Sequence, residues 1–264
     1  MQLPALEDAS LTLQDGVATL RFDRDDVRNA LTGTALVDDI IATLDWANRC
    51  NEARVLVLTG NGSAFSAGGN IHDMRARQGD FAGDVAELEE RYRRGIQRLP
   101  LAMEKAEIPV IAAINGAAVG AGFDLACMCD LRIAADSVRM GETFLNLGII
   151  PGDGGAWFLQ RLVGYQRAAE LTLTGRLIGA GEALDLGLLL EVTAADQLLP
   201  RSLELAARIA TQPGRATRLT KRLLKSARRL ELADFLDLCA CYQGMCHQEE
   251  EHLAAVEAFF RNRT

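Results

Sequence analysis

The sequence predicts an α/β fold with parallel strands. Three observations carry that expectation: two continuous apolar, β-branched runs, Val55–Thr59 and Val110–Ile114; a glycine-rich turn after each, leading into helical sequence; and a helical pattern from about Pro200 to the end. A strand that is apolar at every position must be covered on both faces, as in a parallel sheet between two layers. Repeated strand–loop–helix units build that arrangement.

The elements follow in order. Leu11–Leu13 and Val17–Phe22 flank Asp15-Gly16, a dipeptide suited to a tight turn, and are expected to pair as a hairpin. Leu36, Val37, Ile40, Ile41 and Leu44 recur at helical spacing and place an amphipathic helix over Thr34–Ala47. The buried strand Val55–Thr59 comes next, then a loop rich in Gly and Ser. Arg75–Asp84 holds two glycines and no periodicity, so it reads as a mobile surface segment, and Val85–Arg98 reads as one charged helix. The strand Val110–Ile114 leads through glycines to an apolar helix, Gly122–Cys129. Leu131–Ala134 and Val138–Met140 are further strands, and Asp153–Val163 a further helix. Breaks in the helical tail are expected near Gln212-Pro213 and at Gly244.

Composition narrows the function. A chain of 264 residues, 49% hydrophobic, can bury a large core as one domain or one domain with an appendage. A net charge of −8 argues against a general nucleic-acid binder, which needs a basic face. No run approaches the roughly 18 apolar residues of a membrane span. Met1–Ser10 carries acids where a signal peptide has a basic start and an apolar core, so a cytoplasmic location is expected. The six cysteines form no CxxC pair. Cys239 and Cys246, seven apart, are expected to share a buried helical face as small hydrophobes, a reading preferred to a metal site with the adjacent His247.

The two glycine turns carry the chemistry. They run from Gly60 to Asn70 and from Asn115 to Asp124, each after a buried strand. Ligands in α/β sheets bind beyond the C-terminal ends of strands. Glycines let the backbone approach a ligand closely, and free N–H groups at such a turn, aided by a helix N-terminus, attract negative charge. Nucleotide fingerprints fail. From Gly60 the third glycine of G-x-G-x-x-G would fall on Phe65, Gly120-x-Gly122 is followed by Leu125, and the P-loop lysine and the GxSxG elbow are absent.

Two stretches, Ala64-Phe-Ser-Ala-Gly-Gly-Asn-Ile-His-Asp-Met74 and Ile111-Ala-Ala-Ile-Asn-Gly-Ala-Ala-Val-Gly-Ala-Gly-Phe-Asp-Leu-Ala126, resemble the signatures of the crotonase, or enoyl-CoA hydratase/isomerase, superfamily. Leu147–Gly155, Leu173–Arg176 and Ala183–Leu188 fit the same pattern, so the resemblance spans about residues 11 to 262. It implies a crotonase-type α/β spiral of repeated β-β-α turns, with a core domain over residues 1–199 that holds the acyl-CoA site. It also implies a C-terminal helical trimerisation region over 200–264, and a homotrimer or dimer of trimers. The substrate implied is an acyl-CoA thioester, with CoA part of the substrate and no separate cofactor or metal. The oxyanion donors are expected to be the backbone N–H groups of Gly69 and Ala121. Negative charge developing on a thioester carbonyl oxygen would be stabilised there, each donor being worth about 3–4 kcal/mol.

Hydration of an enoyl thioester needs one group to activate water and one to deliver a proton. The resemblance places Asp124 at the family's first glutamate, one methylene shorter, and Phe144 at the second, where no proton can be carried. Two acids are candidates to substitute: Glu142, otherwise a solvated or structural carboxylate, and Asp153, otherwise an N-cap. An acid in an apolar pocket has its pKa raised toward the working pH. Arg24 and Arg28 precede Asn29-Ala30-Leu31, which resembles the family's CoA-binding segment, and both arginines are candidates for CoA phosphates. Ala30, the backbone of Ala67 and Ile71, and Arg261 near the C-terminus complete the expected CoA contacts, Arg261 reaching a neighbouring subunit. His72 is expected beside the adenine pocket as a surface residue. The leading expectation is an enoyl-CoA hydratase-type lyase. The rivals are an enoyl-CoA isomerase using a single carboxylate and, in another class, a non-catalytic acyl-CoA-binding protein.

Overall fold

In the computed structural model, which describes residues 1–261, the chain opens with the expected hairpin. Strands β1 (Ala9–Gln14) and β2 (Val17–Phe22) pair antiparallel. Asp15 and Gly16 turn at φ of 50° and 81°, the left-handed pair that suits the twist of a two-residue hairpin. Helix α1 (Leu36–Arg49) buries Leu36, Ile40 and Leu44 as its periodicity requires.

Three β-β-α turns then follow. In each, a long strand enters one sheet, a short strand enters a second, and a helix returns. The first turn is β3 (Val55–Gly60), β4 (Ala64–Ser66) and α2 (Ile71–Ala76), with α3 (Val85–Arg94) and α4 (Arg98–Lys105) beyond it. The second is β5 (Val110–Ile114), β6 (Ala117–Val119) and α5 (Ala121–Met128). The third is β7 (Leu131–Ala135) and β8 (Arg139–Gly141), followed by α6 (Gly155–Val163) and α7 (Tyr165–Thr174). The chain continues through β9 (Ile178–Gly179), α8 (Ala180–Asp185), β10 (Glu191–Thr193), α9 (Leu198–Ala210), α10 (Gly214–Ser226), α11 (Leu232–His247) and α12 (Glu250–Arg261).

The long strands form a sheet ordered β1-β2-β3-β5-β7-β10, parallel from β2 onward, and the short ones a sheet ordered β4-β6-β8-β9. Every residue of β3 and β5 is buried, so the apolar runs sit in the middle of the sheet with layers on both sides. Helix α9 crosses β2, β3, β5 and β7, with Ser202 and Ala206 fully covered. Helices α11 and α12 bury no residue within one chain, and Leu232, Leu236, Leu253 and Phe260 are exposed on them.

Several expectations need correction. The helix read over Val85–Arg98 ends at Arg94, because Gly95, with φ and ψ of −101° and −112°, leaves the helical region; a separate helix, α4, starts only at Arg98. Arg75–Asp84 is partly ordered: α2 ends inside it and a single 3-10 turn spans Gly79–Phe81. Gly244 lies within α11 rather than at a break; an interior glycine costs about 1 kcal/mol and need not end a helix. Cys239 and Cys246 are only half-buried, because α11 packs mainly on α10 and α12 and not on the sheet. Asp153 does not open α6. The N-cap is Gly154, in left-handed conformation, and no side chain caps the helix.

Candidate active site

The two glycine turns are sewn together. Asn29 Nδ2 donates to the carbonyls of Asn61 and Ala64, and Asn115 Nδ2 to those of Gly62 and Ala64. Ser66 Oγ donates to the Asn29 carbonyl, the Leu31 N–H to the Gly68 carbonyl, and the Ala67 N–H to the Arg28 carbonyl. These bonds bring residues 28–32 alongside 64–70. Gly68, at φ of 78°, lies so close to the second turn that a Cβ on it would stand 2.5 Å from the Val119 carbonyl oxygen and 2.8 Å from the Ala121 nitrogen. Only glycine meets both conditions.

That approach places the Gly69 and Ala121 backbones on one pocket. Ala121 is the first residue of α5, so its N–H has no partner within the helix. The neighbouring amides are engaged: Gly68 with Ser66 Oγ, Asn70 with Thr32 Oγ1, and Gly120 with the Gly141 carbonyl. Among the described residues, the Gly69 and Ala121 N–H groups have no acceptor. Two free amides at a pocket wall, one at a helix N-terminus, are an arrangement able to stabilise an anion.

Three acids converge behind this wall. Asp124, on α5, is fully buried, and its carboxyl lies against the start of α6, where a Cβ on Gly155 would stand 2.0 Å from Oδ2. Glu142, just after β8, is also fully buried, and the Thr172 hydroxyl on α7 donates to its Oε2. Asp153 is 4% exposed and is the one of the three that lines the pocket with Gly69 and Ala121. Among the described residues no N–H or hydroxyl group donates in good hydrogen-bond geometry to Asp124 Oδ1 or Oδ2, Asp153 Oδ1 or Oδ2, or Glu142 Oε1, although the backbone N–H groups of Asp153 and Gly155 lie near enough to the Asp153 carboxyl to favour its charged form. Asp124 lies close enough to both other acids for the carboxyl groups to interact, and carboxyl groups so placed are best accommodated by sharing protons.

The electrostatics agree with shared protons. Burial raises the pKa of Asp124 far above the ordinary carboxylate range, and the negative charges of Asp153 and Glu142 push it further. Glu142 and Asp153 are raised by burial as well, against opposing hydrogen bonds. No basic side chain acts on any of the three. Three carboxylates so placed do not all ionise.

Phe144 also lines the pocket, its ring tip 3.7 Å from where a Cβ on Gly120 would sit. Leu31, Val37, Met74, Phe81, Ile96 and Ile149 supply further apolar wall. Tyr92, on α3, faces Asp153 across the pocket, and burial with the charges of Asp153 and Asp80 raises its pKa. Of the other aromatics nearby in sequence, Phe123 and Phe158 are core residues, and the Arg161 guanidinium carbon lies 3.8 Å over the centroid of the Trp157 ring.

The expected CoA contacts separate into two groups. Arg28, Ala30, Ala67, Gly69 and Ile71 come together in the sewn segments, with Arg28 and Ile71 exposed and Ala30 buried beneath them. Arg24 is held by Asp8 and Asp26, which engages it inside the chain. Arg261 closes α12 and does not line the pocket. No motif in the sequence points to Thr172 or Tyr92: a threonine within a helix is unremarked, and Tyr92 reaches the pocket only through the packing of α3. Phe81, on the 3-10 turn, does line the pocket.

Comparison with known proteins places this geometry. The family model described as enoyl-CoA hydratase/isomerase matches residues 12–264. The chain is 35% identical to an enoyl-CoA isomerase/hydratase of Mycosarcoma maydis, covering 99% of this chain and 96% of that protein. It is 33% identical to the 1,2-epoxyphenylacetyl-CoA isomerase of Escherichia coli strain K12, covering 96% and 95%. The crystal structure of an enoyl-CoA hydratase from Bacillus anthracis superposes with a TM-score of 0.89 at 31% identity, covering 97% of each chain. The paired sheets with returning helices are thus the crotonase fold that the sequence motifs implied.

Proposed function

The chain belongs to the enoyl-CoA hydratase/isomerase family, and on that premise we propose that it is an enoyl-CoA isomerase in which the Asp153 carboxylate carries one proton between two carbons of an acyl-CoA thioester. The family is one of enzymes acting in acyl-CoA metabolism. One observation carries the choice within it: Asp153 alone among the three buried acids faces the pocket, while Phe144 lines the wall where a second acid would be needed.

The thioester carbonyl oxygen sits between the Gly69 and Ala121 N–H groups. Removing a proton beside the carbonyl places charge on that oxygen, which the two fixed amides stabilise without reorganising. Asp153 takes the proton and returns it two carbons farther along, so the double bond moves into conjugation. The apolar wall keeps water from the enolate. Asp124, behind Asp153, donates to it and holds its orientation. CoA is part of the substrate, gripped along Arg28, Ala30, Ala67 and Ile71, with Arg261 of a neighbouring copy as a further phosphate contact. The uncovered apolar side chains of α11 and α12 support a homotrimer or dimer of trimers assembled through the region after residue 199, in the cytoplasm. No helix among the described residues is long and apolar enough to cross a membrane.

Hydration is the second reading, favoured by the hydratase among the solved relatives and by the cluster of acids. Incubation with 3-enoyl-CoA and 2-enoyl-CoA in deuterated water separates the two. Isomerisation predicts 2-enoyl-CoA from the 3-enoyl substrate with no oxygen added. A 3-hydroxyacyl product from 2-enoyl-CoA as the main turnover would favour hydration, and no turnover with either would leave an acyl-CoA binder. The base must be ionised and its pKa is raised by burial. Activity is therefore expected above that raised pKa, falling away as the pH drops, at a higher pH than an ordinary aspartate would give.

A further inference from the structure

Glu142 and Thr172 have no part in the proton transfer as proposed, yet both are set against its machinery. Glu142 is fully buried, touches Asp124, and has one oxygen occupied by the Thr172 hydroxyl. Its other oxygen, Oε1, has no N–H or hydroxyl donor, and neither do the four oxygens of Asp124 and Asp153. Five oxygens of these three neighbouring acids are thus left without a donor in good geometry.

We propose that Thr172 and Glu142 are positioning residues that orient a one-way chain of hydrogen bonds, leaving its single negative charge on the pocket-facing Asp153. The Thr172 O–H donates to Glu142 Oε2, which makes Oε2 the acceptor oxygen of a neutral carboxylic acid. The proton of Glu142 then lies on Oε1 and is donated to Asp124. The Asp124 proton is donated in turn to Asp153. Two protons serve three carboxyl groups, and one Asp153 oxygen remains free for the substrate. The row satisfies every buried oxygen except the working one, which is the arrangement that costs least in a low-dielectric interior. The pocket also carries Asp38, Asp80, Arg91 and Arg98 on its walls; Arg98 is paired with Asp38, and Arg91 donates to the Gly79 carbonyl. Cys127, on α5, has a thiol that burial pushes up to about 12, so it stays neutral. Tyr92 faces Asp153 from α3 and is raised too. Cys127 and Tyr92 therefore add no charge to the row near neutral pH.

The inference rests on Asp153 being the base, and it makes Glu142 a donor rather than a proton carrier. Glutamine reproduces that role: its amide oxygen accepts from Thr172 and its N–H donates to Asp124. Glu142→Gln is therefore expected to keep kcat within about threefold of the parent, with an unchanged pH profile. Glu142→Met removes the donor. Asp124 then gives a weaker hydrogen bond to Asp153, the anion is less favoured, and the acid limb of kcat/KM moves up by about one pH unit, with kcat falling at least tenfold. Thr172→Val, which keeps the shape of a half-buried side chain and removes only the hydroxyl donor, is expected to shift the limb the same way, and Thr172→Ser to restore it. Loss of activity in Glu142→Gln as deep as in Asp153→Asn would overturn the inference, because a carrier and not a donor is then required. So would an unmoved acid limb in both Glu142→Met and Thr172→Val. All these variants are read on whichever product the parent enzyme forms. A hydratase outcome would remove the isomerase reading while the glutamine–methionine contrast still judges the chain of hydrogen bonds.

Discussion

Asp153→Asn is expected to lower kcat by about 10²–10⁴-fold, the usual contribution of a positioned general base, with KM for the acyl-CoA little changed. Asparagine keeps the size and the place of the side chain at the pocket wall but takes up no proton. The amides of Gly69 and Ala121 still hold the carbonyl oxygen, so binding survives. The fold is expected to survive as well. Asp153 has its pKa raised by burial; a group raised in the folded state contributes stability that is present below its unfolded pKa and lost as the pH rises through its folded pKa. Near neutral pH its ionised form is thus a burden on stability, and the amide removes it. A melting temperature at pH 7 no lower than the parent's, beside the loss in kcat, separates a catalytic defect from an unfolded one. An Asp153→Asn enzyme within tenfold of the parent would take Asp153 out of the chemistry.

The second large effect is at the oxyanion pair. Ala121→Pro deletes one N–H donor, and the position tolerates the ring. Ala121 is the first residue of α5, where proline is favoured because that N–H has no helical partner. The preceding Gly120 has φ and ψ of 55° and −126°, the mirror image of the extended conformation that a residue before proline adopts, open to glycine alone. The expected loss is about 10²–10³-fold in kcat, or about 3–4 kcal/mol. A ground-state complex with a saturated acyl-CoA, measured by calorimetry, should weaken far less, since the donor matters most when charge develops on the oxygen. Equal losses in binding and in kcat would mean that the amide holds substrate without favouring the transition state.

How much of this could be read from the sequence depends on distance along the chain. The buried strands β3 and β5 were legible because an apolar run of five or six residues has few alternatives. The short strands β4 and β6 were not. Ala64–Ser66 and Ala117–Val119 are three residues each, too short for a period, and they lie inside stretches that read as glycine turns. The turns themselves were legible as an anion site, and the structure brings their free amides to one wall. The three candidate acids lie together in the structure, but which of them lines the pocket was hidden. Asp124 lies three residues from Ala121, the donor that opens α5, and from the sequence reads as the working acid. The glycine at 155 lets α6 pack directly over its carboxyl, and that contact between distant segments turns it away from the pocket. Asp153 looked like an N-cap because aspartate before a helix usually is one; here Gly154 takes that place in left-handed conformation, freeing the carboxyl for the pocket. Thr172 belongs to α7, thirty residues from Glu142, and only the folded chain makes them partners.

The claim that one carboxylate carries the proton is tested most directly with 3-enoyl-CoA deuterated at C2 and turned over in ordinary water. The mechanism removes a deuteron from C2 to Asp153 and returns it to C4 of the same molecule, so part of the label should appear at C4 of the 2-enoyl product. Label lost wholly to water, together with an oxygen at C3, would contradict it.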